Sequence, residues 1–235
     1  MDSGIRARVE SVRERMQRAC QRVGRAEESV GLVAVSKMYP AEFVAEAAAA
    51  GCDCFGESRV HEALPKIDAC PGSLEWHFIG HLQRNKVPPV VSAFALIHAV
   101  DSLRLLQRID ACAELSGLRM PVCLEVNVSG ESSKFGLAPD EVPAALDAAN
   151  TLLHVDVQGL MTMAPFSPDP AAARPFFRRL RQLRDQWAVQ SGFALETLSM
   201  GMSNDFEIAI EEGSTLVRVG TDVFGARFHD EGGAE

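Results

Sequence analysis

LVAVSKMYP, Leu32 to Pro40, opens with four apolar residues in a row, Leu32, Val33, Ala34 and Val35. A continuous rather than alternating run suits a strand covered on both faces, as in a parallel sheet. The run ends on Lys37, where a buried ammonium is costly unless it is paired or gives up its proton. A strand that has ended in water would also explain the lysine, since lysines are mostly exposed. Composition bears on the choice. Only four lysines, Lys37, Lys66, Lys86 and Lys134, stand against nineteen arginines. Arginine is the default surface cation here, so a lysine at a strand end points to what arginine cannot do: lose a proton and attack a carbonyl.

The same strand-like character recurs along the chain. After 32–37 come CDCFGES (52–58), WHFIG (76–80), LIHAVDS (96–102) and PVCLEVNV (121–128). VDVQGLMTM (155–163), TLSMGM (197–202) and TLVRVGTDVFG (215–225) complete eight. Helical stretches lie between them. AEFVAEAAAAG stops on Gly51 and SLRLLQRIDACAELSG on Gly117. DEVPAALDAANTL and AAARPFFRRLRQLRDQWAVQ read the same way; the latter carries Phe176, Phe177, Leu180, Leu183 and Trp187 at helical spacing and is a packing helix despite its arginines. Ahead of all this, Asp2 to about Val23 forms a helix with Ile5, Val9, Val12, Met16, Ala19 and Val23 on one stripe. Its arginines fall off the stripe, as on a solvated face.

Eight strands alternating with helices indicate a single (β/α)8 TIM barrel with an extra N-terminal helix, one domain over 1–235. The tail HDEGGAE reads as frayed. Catalytic and binding groups of such barrels gather at the C-terminal strand ends, which puts Lys37 in the mouth.

The net charge of −9 argues against general binding to nucleic acid or anionic membranes. No apolar run reaches the length of a membrane span, and the charged opening MDSGIRARVESVRERM is no signal peptide. Six cysteines lack the density of a disulfide scaffold, so a reduced, cytoplasmic protein is expected. Cys52 and Cys54, as C-x-C, would share one strand face as small core residues, and further metal ligands are not evident beside His77 and His81.

Two stretches suit a phosphate. In SMGMSNDF, Ser199 to Phe206, a strand ends in small residues and NDFEIAIEEG follows as a short helix capped by Ser203 or Asn204. In RVGT, Arg218 to Thr221, Gly220 permits close backbone approach and Thr221 adds N–H and hydroxyl donors. Loops after strands seven and eight are the usual phosphate site of this fold. A phosphate and an imine-forming lysine in one mouth suit either pyridoxal 5′-phosphate (PLP) or a phosphosugar.

VAVSK, FGES, WHFIGHLQRNK, VDS, LEVNVSGESSKFG, GLMTM, LSMGMSNDF and RVGTDVFG resemble, in order, the signature stretches of the PLP homeostasis proteins. The resemblance runs from about residue 5 to 228. It implies the barrel of the alanine racemase N-terminal domain, without that enzyme's second domain. By the same resemblance, Lys37 is the Schiff-base lysine. Ser203, Gly220 and Thr221, with backbone help from Met202, hold the phosphate, and Arg218 faces the pyridine nitrogen. Ser58 stands where the family usually has Asn, which puts that ring contact in question. A guanidinium at the ring nitrogen disfavours its protonation and weakens the electron sink. A racemase would also need a base on the opposite face, and the sole tyrosine, Tyr39, sits two residues from Lys37. The reading implied is a non-catalytic PLP carrier, a monomer serving apo PLP-dependent enzymes. The alternative is a weak racemase-like enzyme. A Schiff-base aldolase would expect a lysine in GLMTM, and none is there.

Overall fold

The computed structural model describes residues 4–226. Asp2, expected to open the first helix, and the tail from His229 lie outside them. Eight strands close into one parallel barrel in sequence order: β1 (Gly31–Val35), β2 (Cys54–Glu57), β3 (Glu75–Phe78), β4 (Leu96–Val100), β5 (Met120–Glu125), β6 (Val155–Met161), β7 (Thr197–Ser199) and β8 (Leu216–Val219). Closure is made by β1 on β8, with Val33 opposite Arg218 and Ala34 opposite Val219. This is the (β/α)8 barrel that the alternation of strands and helices called for.

The helices are α1 (Ile5–Arg22), α2 (Ala41–Ala49), α3 (Val60–Ala69), α4 (Val87–Ala93), α5 (Leu103–Leu115), α6 (Val142–Ala149), α7 (Arg174–Ser191), α8 (Phe206–Glu211) and α9 (Thr221–Phe224). Three of them escaped the sequence reading, α3, α4 and α9, the first two because of proline. Pro65 lies inside α3 and Pro88–Pro89 open α4, and proline signals breakage before it signals helix. Where α2 and α5 end, Gly51 and Gly117 take φ of +92° and +64°, as their C-terminal positions require.

Two local expectations are corrected. TLVRVGTDVFG is not strand throughout: β8 stops at Val219 and Thr221–Phe224 turns into helix, so the phosphate-type loop is tighter than an extended run allows. Cys52 precedes β2, so Cys52 and Cys54 do not alternate along a strand; Cys52 is buried and Cys54 half-buried.

The main core lies between strands and helices, where Phe55, Phe78, Ile97, Leu124 and Leu160 are fully enclosed. A second, smaller cluster of buried apolar residues comprises Leu96, Ala99, Cys123 and Met161, with Leu216 against them. The buried polar groups include His77, His98, Glu125, Ser199 and Arg218. Helix α1 buries Ile5, Val9, Val12, Met16 and Ala19 of its expected stripe, whereas Val23 lies past the helix end and is exposed, and the helix's arginines are not merely solvated. Arg15 ion-pairs Glu207 on α8 and Asp222 on α9 and covers the Phe206 ring at 4.4 Å, while Arg22 pairs Glu207 and Glu211. The extra helix thus clamps both short helices that follow β7 and β8. On α7, Arg174 and Arg178 converge on Glu212.

Candidate functional site

At the mouth, Lys37, Met202, Ser203, Arg218, Gly220 and Thr221 line one cavity of about 260 Å³. Val35, Tyr39, Ile79 and Met163 supply its apolar walls. Six of the seven expected site residues therefore meet. Ser58 does not: it lies at the rim of a neighbouring depression of about 450 Å³ with Arg59, His81 and Lys86.

Lys37 is half-buried just beyond β1, and Met38 after it takes φ +66°. A non-glycine residue in the left-handed region costs of order 1–3 kcal/mol and marks a turn that the surroundings enforce. Here it reverses the chain directly after the lysine, so that Lys37 stays on the cavity wall. Behind it, Lys66 on α3 donates to Ser36 O at 2.8 Å and to buried Glu57, which also accepts from Ser36 Oγ at 2.7 Å. The sequence reading missed this pair, although the scarcity of lysine could have marked Lys66 as readily as Lys37.

The loops after β7 and β8 form the polar end. Neither Ser203 nor Asn204 caps α8; Asp205 occupies the N-cap and accepts from the Met202 N–H at 2.7 Å. Ser203 is left free of capping, and its hydroxyl faces the second loop, accepting from the Asp222 N–H at 3.5 Å. Thr221 opens α9, where a first-turn N–H has no acceptor within its own helix. Gly201, at φ +95°, cannot carry a Cβ, which would lie 2.5 Å from the Cβ of Ala209. That close packing sets the loop on α8.

Arg218 points into the barrel interior, 4% exposed. Its guanidinium donates to Ser199 Oγ at 2.5 Å and to Thr162 O at 3.1 Å. Burial pulls its pKa down, and the charges of Glu125 and Asp205 oppose that. Glu125, at the end of β5, is pushed up to about 7 by burial, then by Asp101, against Arg218 and His81. Burial holds His98 well below the usual histidine range, and His77 below it. His77 and His81 do not pair: His77 binds Glu75 and His81 binds Asp101. Cys54, Glu75 and His77 do bring three donor atoms within 4.8 Å of one another at the opposite end of the barrel, where Glu75 already occupies His77 Nε2.

These residues fit a phosphorylated pyridine aldehyde. Hydroxyl and N–H donors face one end of the cavity, an amine stands on its wall, and the buried cation forms no salt bridge with a carboxylate among the described residues. The alanine racemase N-terminal domain family matches over residues 8–228. The PLP homeostasis protein of Aquifex aeolicus is 44% identical over 94% of this chain and 97% of its own. The chain belongs to the PLP homeostasis protein family. The Pseudomonas aeruginosa member is 43% identical over 96% of both chains. Among solved structures, PipY of Synechococcus elongatus with PLP bound superposes with a TM-score of 0.82 at 36% identity, over 94% of this chain and 100% of that one. An alanine racemase of Clostridium difficile shares the fold at TM-score 0.72 and 15% identity, over 96% of this chain and 58% of that one. Among the described residues no helix is long and apolar enough to cross a membrane.

Proposed function

We propose that the chain binds PLP in the Lys37 cavity and serves PLP homeostasis by storing, buffering or delivering the cofactor, with no turnover of its own. The observation that carries this is the meeting of Lys37, the Ser203 and Thr221 hydroxyls and the buried Arg218 around one cavity. Lys37 Nζ would bind the cofactor's aldehyde carbon, Ser203, Gly220 and Thr221 with the Met202 backbone would hold the phosphate, and Arg218 would face the ring nitrogen. Ser58, outside the cavity, is given no ring contact in this reading. PLP supplies an electron sink to bound amines, and a guanidinium at the ring nitrogen keeps that sink weak. Tyr39 is a poor opposing base: its hydroxyl donates to Gly225 O at 2.6 Å and its ring stacks on Phe224. That favours the carrier over the racemase-like alternative. A cytoplasmic monomer handing PLP to apo PLP-dependent enzymes is the setting we propose, consistent with six cysteines that are all free.

Borohydride reduction of the PLP-loaded protein followed by peptide mapping tests the assignment. Label on Lys37 is expected; label on Lys66, Lys86 or Lys134 would overturn it. Ser203→Ala and Thr221→Val should each weaken PLP binding about tenfold to hundredfold through a lost charge-assisted hydrogen bond, with the fold retained.

A further inference from the structure

We infer that His98 and His77 are positioning residues for Arg218: with Ser199 and Glu75 they form a hydrogen-bond chain that crosses the barrel interior in one direction and fixes the guanidinium beneath the cavity. The inference deepens the PLP reading and rests on it for what Arg218 faces.

The chain is continuous. Arg218 Nη1 lies 2.5 Å from Ser199 Oγ, and Ser199 Oγ 2.7 Å from His98 Nδ1. His98 Nε2 lies 2.9 Å from His77 Nδ1, and His77 Nε2 lies 2.7 Å from Glu75 Oε1. Strands β8, β7, β4 and β3 each contribute. Ser199 and His98 are fully enclosed and His77 nearly so, whereas the Glu75 side chain is 58% exposed. The far end therefore reaches water at the end of the barrel opposite the mouth.

Proton counting sets the direction. Arginine can only donate, so Ser199 Oγ accepts from it. Serine has one proton, and its other partner in the chain is His98 Nδ1, which must then accept. Buried and beside Arg218, His98 is neutral, so its single proton sits on Nε2 and is donated to His77 Nδ1. His77, neutral for the same reason of burial, then carries its proton on Nε2, facing the Glu75 carboxylate, which as an anion can only accept. Every link is satisfied once. The reverse order would have Ser199 accept from both sides and turn the lone pair of His77 toward a carboxylate. The forward chain lines up three neutral dipoles between a buried cation and an exposed anion, and such chains strengthen their members mutually. It gives Arg218 electrostatic support without a carboxylate next to it, at a position where the arginine lines the cavity.

The direction is measurable without PLP. Imidazole ¹⁵N–¹H correlation spectra of the apo protein should show both His98 and His77 as Nε2–H tautomers. An Nδ1–H form at either, which a metal ion held by Cys54, Glu75 and His77 would also impose on His77, overturns the chain. The positioning role is read separately, from PLP affinity and the visible band of the bound cofactor. His98→Leu should weaken binding about tenfold and shift the band, through the loss of one charge-linked hydrogen bond at Ser199. His98→Asn, which keeps an acceptor at the Nδ1 position, should restore most of both. Wild-type affinity and band in His98→Leu would overturn the role. Should that variant not fold, Glu75→Leu at the exposed end takes its place, with a shifted band expected and an unshifted one overturning it. If the wild-type protein fails to bind PLP, the cofactor reading falls while the tautomer result still decides the chain.

Discussion

Lys66 and Arg218 are both cations buried in this barrel, and they are held in opposite ways. Lys66 touches a carboxylate directly: Oε1 of Glu57, a residue 0% exposed, also accepts from Ser36, while Glu57 Oε2 has no hydrogen-bond partner among the described residues. Arg218 touches only neutral acceptors, Ser199 Oγ and Thr162 O, while Glu125 and Asp205 act on it through charge alone. A cation neutralised on contact is part of the scaffold. A cation held by neutral groups keeps its field for whatever enters the cavity, which Arg218 lines and Lys66 does not.

The widest separation between the two should appear in stability. Lys66→Met leaves Glu57 buried without its counter-charge and should cost about 3–5 kcal/mol in chemical denaturation. A loss below about 1 kcal/mol would mean that Glu57 is compensated elsewhere, and the contrast with Arg218 would vanish.

A second measurement asks how far Glu125 acts as a counter-charge for Arg218. Its folded pKa is raised from 4.5 to about 7, so between those values the folded state holds a proton that the unfolded state has released. The associated stability is present at low pH and is lost as pH rises through about 7, to at most about 3 kcal/mol. Glu125→Gln should flatten that part of the stability–pH curve relative to wild type. An unchanged curve would assign the slope to another group.

The two cations also differ in how legible they were. Arg218 stood in RVGT at the end of an eighth strand, a place the fold reserves for function, and the resemblance to the PLP homeostasis proteins gave it a role there. Lys66 sits mid-helix beside Pro65, in a segment whose helix the sequence hides, and its partner Glu57 is 9 residues away on β2. The strands were legible because buried parallel strands read as apolar runs, and the β7 and β8 loops because small residues and glycine cluster there. The interior chain was not: a histidine within LIHAV signals an inward polar group, but its partners lie on β3 and β7, and a barrel's interior neighbours are set by closure and stagger rather than by spacing. Nor did the arginines of α1 announce their partners, which come some 190 residues later on α8 and α9.

Ser199→Ala probes the neutral support directly. It leaves one guanidinium donor unsatisfied in the interior and should cost about 2 kcal/mol. Thermal melts with and without PLP would show whether the loss is shared by the apo protein, as a pre-set guanidinium requires. A loss seen only with PLP would mean that Arg218 is positioned by the ligand.

The smallest effect is expected where intuition would place the largest. Arg218→Met removes a buried charge that has no carboxylate in contact; Glu125 and Asp205 lose only a charge acting at a distance, and Glu125, already raised to about 7, can take up a proton in its place. The methionine stem occupies much of the space of the arginine stem, and Ser199 keeps His98 as a partner. Ser199 Oγ and Thr162 O each lose a donor, and only Thr162 O is left without its side-chain partner, a cost offset by ending the desolvation of the guanidinium. The apo stability should therefore move by no more than about 1 kcal/mol in denaturant unfolding, against the several lost in Lys66→Met. The visible spectrum of the loaded protein should change at the same time, since the charge proposed to face the ring nitrogen is gone. A large loss of apo stability would show Arg218 to be a structural cation like Lys66. An unchanged spectrum with unchanged stability would show that the guanidinium faces nothing, and its support by neutral groups would then serve no ligand.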